Sequence, residues 1–265
     1  MTSPDTRVPV TVIIAAKNEA GNISACLASV AWAAETIVAE HGSTDDTVAR
    51  AMQQGAVVIS EEAPTIGMQR NQAIARARSP WILVVDADER GTPELAAAVR
   101  KTIDEGRHDA FRVPRRNFFL GAEIRHGGWE RDRPVRLFRR ELRYNESKVH
   151  EHVIVSGEPG IVGAALLHYP YGSLDRYFEK FERYSRWWAD QQHAKGRRTS
   201  VLAVLVKPPA RFFSMYVLRL GFLDGPQGVI LAALAAASVL AKYVRLWGKQ
   251  HEPSSESSST SSCAS

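Results

Sequence analysis

The 265 residues include only two cysteines, Cys26 and Cys263, far apart in the chain. That spacing excludes a disulfide scaffold and any Cys-x-x-Cys metal or redox motif, and it fits a reducing cytosol. No Gly-x-Gly-x-x-Gly follows the first apolar run, where Ala15-Ala16-Lys17-Asn18-Glu19 stands instead. A nicotinamide-dependent dehydrogenase is therefore disfavoured. The same stretch lacks the glycine-rich basic loop with which a sugar nucleotidyltransferase would hold a triphosphate. No basic segment near the start leads into a long apolar stretch, so no signal peptide is expected. Near the other end the longest uncharged piece, Gly225 to Ala241, falls short of the roughly 20 residues that cross a bilayer.

What is present suits one large cored domain with an appendage, at 45% hydrophobic residues and a formal charge of +5. Arginine is concentrated between Arg107 and Arg143 and again at Arg197, Arg198, Arg211, Arg219 and Arg245. Such clustering suits an anionic partner: a diphosphate, a lipid head group or a nucleic acid. A plain solvated basic face is the alternative.

Short apolar runs alternate with amphipathic stretches from Val10 to about Pro114, the pattern of an α/β domain with a largely parallel sheet. Val10–Ala15, Thr36–Val38, Ala56–Ile59 and Trp81–Val85 read as strands, and Asn22–Val30, Asp45–Gln54 and Met68–Ala77 as helices. Ser43 or Thr44 is the expected N-cap of the second helix, and Thr92-Pro93 opens a fourth. Right-handed crossovers would gather the strand C-terminal ends on one edge, where ligands bind in open sheets. From Ala110 to Val162 shorter segments read as a mixed sheet edge with functional loops, the expected acceptor half. A helix follows towards Lys195, with Leu174, Tyr177, Phe178, Phe181, Tyr184 and Trp188 spaced along one face and expected to pack.

The clearest chemical signal is Asp86-Ala87-Asp88-Glu89, directly after an apolar strand. Residues two apart on an extended segment point the same way, so Asp86 and Asp88 can converge on Mg2+ or Mn2+ and, through it, on phosphate oxygens. Capping or solvation is the alternative for such a pair. Two further acidic groups reach the same edge: Glu19 after the first strand and Glu40 after the second, the latter followed by Gly42-Ser43-Thr44-Asp45-Asp46-Thr47. Such side chains can hydrogen-bond a base or ribose, and Gly42 permits close backbone approach. Arg70, in Gly67-Met68-Gln69-Arg70-Asn71, could touch phosphate.

Taken in order, Ala15-Ala16-Lys17-Asn18-Glu19, Gly42-Ser43-Thr44-Asp45-Asp46-Thr47, Arg70-Asn71, Asp86-Ala87-Asp88-Glu89, Arg136-Leu137-Phe138-Arg139 and Val149-His150-Glu151 resemble family 2 glycosyltransferases of GT-A fold. Within that family they most resemble the lipopolysaccharide core β-1,4-glucosyltransferase-like branch. The likeness runs from about Val10 to Trp247 and includes Gly221-Phe222-Leu223-Asp224-Gly225. It implies a GT-A (Rossmann-like), mainly parallel mixed sheet flanked by helices. It also implies transfer of a hexose from a nucleoside-diphosphate sugar with inversion at the anomeric carbon. Asp86, Asp88 and His150 would fall at the metal, and Ala16, Glu19, Glu40, Gly42, Asp45, Arg70, Asp86 and Ala87 at nucleotide-sugar positions. Glu40-His41-Gly42-Ser43 departs from the usual Asp-Ser-Gly-Ser, which affects the base or ribose contact. Inversion needs a base for the acceptor hydroxyl; Asp132 is favoured and Glu151 is the alternative, while either could instead be a structural partner of neighbouring arginines. Trp129 could stack on a sugar.

The expected organisation is a catalytic domain over residues 8–161, an α-helical region over 162–249 and a disordered serine-rich tail over 250–265. Arg211, Arg219, Lys242 and Arg245 beside aromatic residues suit head groups, giving a peripheral protein of the cytoplasmic face of the inner membrane. A helical pair covering the main domain or forming a dimer is the other reading of that region. The expected acceptor is a glycolipid or lipopolysaccharide-core saccharide, and no nucleic acid is expected. A sugar nucleotidyltransferase and a non-catalytic basic membrane-binding module are the competing functions.

Overall fold

Strands buried on both faces read as unbroken apolar runs, and the two central strands of this chain do so. β1 (Val8–Ala16) and β4 (Trp81–Asp86) are buried almost throughout in a computed structural model that describes residues 7–129, 132–147, 151–171 and 174–251. The chain forms two units. One comprises Met1–Glu123 with Trp129–Pro170, and the other Ile124–Gly128 with Tyr171–Ser265.

In the first unit β1 and β4 pair in parallel, and β1 also pairs in parallel with β2 (Ala33–Glu40), which carries β3 (Val57–Ile59) on its far side. On the other flank β9 (Val135–Arg139) runs antiparallel to β4 and to β6 (Ala110–Arg112), and β10 (Gly160–Ile161) closes the edge. The seven-stranded order is β10-β6-β9-β4-β1-β2-β3. This is the expected mainly parallel mixed sheet.

Alternation along each strand sends side chains to opposite faces, and both faces are covered. Val10, Val12 and Ile14, with Trp81, Leu83 and Val85, pack against Ile23 and Leu27 of α1 (Ile23–Ser29), Ala51 of α2 (Thr47–Gln53) and Leu95 and Val99 of α4 (Pro93–Glu105). Ile13, Ile37, Ile82 and Val84 pack instead against Ala73 and Ile74 of α3 (Ile66–Arg76). Thr92 caps α4 by accepting the Leu95 amide, with Pro93 in the first turn as expected. The expected cap of α2 is corrected. Its N-cap is Asp46, because the Ser43 hydroxyl accepts the Asn18 amide and Thr44 donates to the Asn18 side chain.

A second sheet, of order β5-β11-β7-β8, comprises β5 (Glu89–Arg90), β11 (Leu166–His168), β7 (Arg115–Phe119) and β8 (Ala122–Ile124).

The second unit is built on α5 (Leu174–Ala194), α6 (Val201–Phe213) and α7 (Gly225–Lys249), with a π-helical turn at Ser214–Leu218 and a 3-10 turn at Gly221–Asp224. Gly228 has no room for a side chain, since a Cβ there would lie 1.9 Å from the Gly221 carbonyl oxygen. The aromatic stripe of α5 is only partly a packing face. Tyr177 is buried, together with Ser185, Ala189 and Gln192, whereas Phe178 and Tyr184 are exposed. The buried line thus carries one ring, Tyr177, ahead of Ser185, Ala189 and Gln192, and the rings of Phe178 and Tyr184 fall beside it.

Candidate active site

Strand register gathers the polar side chains. Ala16 lies opposite Glu40, and Ala15 opposite Asp86, so β1, β2 and β4 all end at the same edge.

The loops after β1 and β2 are stitched to each other. The Asp45 carboxylate accepts the amides of Ala20 and Thr47, at 3.1 and 3.0 Å, and the Thr47 hydroxyl. That hydroxyl accepts the Glu19 amide at 2.8 Å. The Thr47 hydroxyl bond, followed by the two amides, holds Asp45 below the usual carboxylate range. Glu40 is buried and accepts the Ser43 amide through Oε1, and Glu19 accepts from the Asn22 side chain. Gly42, at φ 65°, makes the turn between them. Glu19, Glu40 and Asp45 thus shape the rim of the edge.

At the end of β4, three guanidinium groups converge on Asp86. Arg70 Nη2 and Arg115 Nη2 each donate to it at 2.8 Å, and Arg136 binds both carboxylate oxygens. Burial alone would raise the Asp86 pKa, but the charges of Arg136, Arg70 and Arg115 outweigh it and hold the carboxyl far below its ordinary range. Glu89, fully buried at 0% exposure, accepts the Asp86 amide at 2.7 Å and Arg115 Nε at 2.5 Å. Burial pushes Glu89 up, with the Asp86 charge adding to it against Arg136 and Arg115. The third nitrogen of Arg115, Nη1, donates to Asp132 at 2.8 Å. One guanidinium therefore ties the strand-end acidic motif to the favoured base. Glu151 joins from the other side, 3.5 Å from Arg70 Nη1.

Arg70 reaches this point because α3 buries Gly67, Arg70 and Ile74 on a single face. Gly67 lets the helix approach, since a Cβ there would lie 2.8 Å from the Asn145 carbonyl oxygen. A cavity of about 440 Å³ opens here, lined by Arg70, Asp86, Arg115, Arg136, Tyr144 and Glu151 among others.

Asp88 turns elsewhere. β11 is antiparallel to β5 and parallel to β7, a register that sets His168 opposite both Glu89 and Asn117. His168 Nε2 lies 3.7 Å from an Asp88 oxygen, too far for a hydrogen bond. The other ring nitrogen, Nδ1, meets Asn117 Oδ1 at 2.7 Å. The Asn117 amide nitrogen donates to the Trp129 carbonyl at 2.9 Å, which fixes which end of the amide faces the ring. Nδ1 of His168 is therefore the donor, and in the neutral ring Nε2 keeps its lone pair towards Asp88. An imidazole nitrogen and a carboxylate that face each other without a bond fit a divalent cation, with an orienting partner behind the histidine.

Asp86 and Asp88 thus face different partners, the first three arginines and the second a histidine. Sequence reasoning missed His168, Asn117 and Arg115 and gave Glu89 no role. Nothing in a lone histidine of a three-residue strand marks it; Arg115 falls within the noted arginine cluster. His150, proposed at the metal, lies outside the described residues. Among the described residues no three His, Cys, Asp or Glu side chains form a ready cation cage.

The model of "Glycosyl transferase family 2" matches residues 11–158. The chain belongs to glycosyl transferase family 2. The lipopolysaccharide core biosynthesis glycosyltransferase LpsC of Rhizobium meliloti (strain 1021) is 29% identical over 259 residues, covering 89% of this chain and 94% of the relative. An uncharacterized glycosyltransferase of Rickettsia felis is 27% identical over 257 residues, covering 89% and 88%. Glucosyl-3-phosphoglycerate synthase from Mycobacterium tuberculosis, solved with Mn2+, UDP-glucose and phosphoglyceric acid, aligns at 24% identity and a TM-score of 0.37, over 40% of this chain and 43% of that one. That alignment spans less than half of the solved chain and places no residue here. As a glycosyltransferase the chain is an enzyme, which removes the non-catalytic module and the nucleotidyltransferase from consideration.

Proposed function

We propose that this glycosyltransferase moves a hexose from a nucleoside-diphosphate sugar, of UDP-glucose type, to a hydroxyl of a glycolipid or lipopolysaccharide-core saccharide, with inversion. The single observation that carries the reading is the Arg115 fork, which joins Asp86, Glu89 and Asp132 at the sheet edge. The similarity to LpsC over most of both chains supports the acceptor class and a cytoplasmic site of action.

In this reading the acceptor oxygen attacks the anomeric carbon as the bond from that carbon to the diphosphate oxygen breaks. The hydroxyl proton passes to Asp132, and the nucleoside diphosphate leaves with the electron pair. Asp132 keeps 43% of its side chain exposed, within reach of an incoming acceptor. Glu151 is the second candidate, held by Arg70 on the cavity wall. Asp88 and His168 would hold Mg2+ or Mn2+, with His150 a further proposed ligand, and the ion would offset charge on the departing diphosphate. Asn117 keeps the His168 lone pair directed to that position. Asp86 and Glu89 hold Arg70, Arg115 and Arg136 in place, which fixes where Asp132 and Glu151 stand. Ala16, Glu19, Glu40, Gly42, Asp45 and Ala87 form the nucleotide side of the edge.

Asp132→Asn tests the assignment. Transfer should fall by about 10²- to 10⁴-fold while donor binding persists. A variant with undiminished turnover would move the base to Glu151.

A further inference from the structure

We infer that Arg211, Arg219 and Lys242 form a site for the phosphate of an anionic phospholipid, by which the helical unit lies on an acidic bilayer surface. This rests on the proposed lipid-borne acceptor only for its purpose, which is to keep the enzyme beside that acceptor.

From Val201 to Lys249 six cations, Lys207, Arg211, Arg219, Lys242, Arg245 and Lys249, accompany a single acid, Asp224. That acid is spent, since it accepts the amides of Arg125 and His126 at 3.1 and 2.9 Å and contacts the His126 ring. Three of the cations have partners. Lys249 meets Asp190 at 2.9 Å, Arg245 meets Glu182 at 3.8 Å, and Lys207 sits 5.2 Å over the Tyr243 ring. Arg211, Arg219 and Lys242 have no carboxylate within ion-pair distance among the described residues, although α6 and α7 pack together and bring Arg211 near Lys242. Partial burial lowers the pKa of both Arg211 and Lys242; the Arg219 charge adds to the first shift and the Arg211 charge to the second. An arriving phosphate would relieve that repulsion.

The surroundings favour a lipid over free phosphate. Leu202, Leu205 and Leu218 are 69%, 65% and 67% exposed, and Phe213, Val217 and Leu223 are exposed as well. Lys242 lines a cavity of about 240 Å³ with Ser238, Tyr184, Trp187 and Trp188, an aromatic and cationic lining suited to the head-group layer. Val201–Leu218 and Gly221–Lys249 are long and apolar enough to cross a membrane by length and composition. Lys207 and Arg211 lie mid-way along the first, however, and Lys242 interrupts the second. Cations there suit an interfacial position and are costly at the bilayer centre.

The test is co-sedimentation of the full chain with vesicles of phosphatidylglycerol and phosphatidylcholine, against phosphatidylcholine alone. The wild type should bind the acidic vesicles, release them in high salt and bind neutral ones weakly. Each removed charge should weaken binding roughly fivefold, so the Arg211→Gln, Arg219→Gln, Lys242→Gln triple variant should lose about a hundredfold. Removing Arg76, Arg78 and Lys101 from the other unit should have little effect. The inference is overturned if the triple variant binds like wild type, if both triples weaken binding equally, or if neutral vesicles serve as well. Displacement by inorganic phosphate beyond that by chloride at matched ionic strength would also overturn it, by assigning the site to free phosphate. Circular dichroism and nucleotide-sugar binding, read on the same samples, separate the outcomes. Lost vesicle binding with intact fold and donor binding in the triple variant supports the site. A wild type that binds donor but not acidic vesicles counts against this site alone, and a wild type that binds vesicles but no donor counts against the proposed transfer.

Discussion

Arginine serves opposite ends in the two units. At the sheet edge Arg70 and Arg136 are buried and Arg115 nearly so, and all three are paired with acids among Asp86, Glu89, Asp132 and Glu151. On the helical unit Arg211 and Arg219 have no carboxylate within ion-pair distance among the described residues. A buried, paired arginine is part of the fold, and its loss leaves Glu89, which water does not reach, short of a counter-charge. An unpaired one costs the fold little and is available to a ligand. The same residue type therefore predicts stability effects in one place and binding effects in the other.

The largest expected break in that comparison is Arg136→Ala, which leaves Asp86 and Glu89 short of a counter-charge and should cost about 3–5 kcal/mol of stability by denaturant titration. Arg211→Ala should stay within about 0.5 kcal/mol. Equal effects would erase the distinction.

Next in size, Asp88→Ala should abolish metal-dependent transfer while leaving the denaturation midpoint near that of wild type, whereas Asp86→Ala should lose both. Two variants that behaved alike would mean the two carboxylates share one role. The Asn117→Ala substitution should weaken Mn2+ binding about 10- to 100-fold in calorimetry, and unchanged affinity would remove the orienting role.

The smallest effect concerns pH. Asp86 is held below its ordinary pKa of 3.8 in the folded state, so its contribution is present above about pH 4 and is lost as pH falls towards its folded value. Asp86→Asn should therefore be less stable than wild type at neutral pH, with a deficit that narrows below about pH 4. A deficit constant down to pH 2 would contradict this.

Much of the fold was legible because β1 and β4 are buried on both faces and hence written as apolar runs. The strand-end position of Asp86 followed directly from the run before it. The different surroundings of Asp86 and Asp88 did not follow. They depend on Arg115 and Arg136, 29 and 50 residues away, and on β11 inserting between β5 and β7 to deliver His168. Convergence of the two aspartates was inferred from an extended backbone, but β4 ends at Asp86 and the next strand begins at Glu89, so Asp88 lies in the turn between. Likewise Ser43 and Thr44 had the right chemistry for a helix cap, yet the neighbouring loop claimed both. Local preference was read correctly there and overruled by a partner 25 residues earlier.

The most direct measurement is calorimetric titration of wild type and Asp88→Ala with UDP-, GDP-, ADP- and dTDP-sugars, each with and without Mn2+. Tight, metal-dependent binding of one nucleotide sugar by wild type, with the metal dependence gone in Asp88→Ala, is the predicted result. Binding that ignores the metal in wild type, or that Asp88→Ala retains in full, would contradict it.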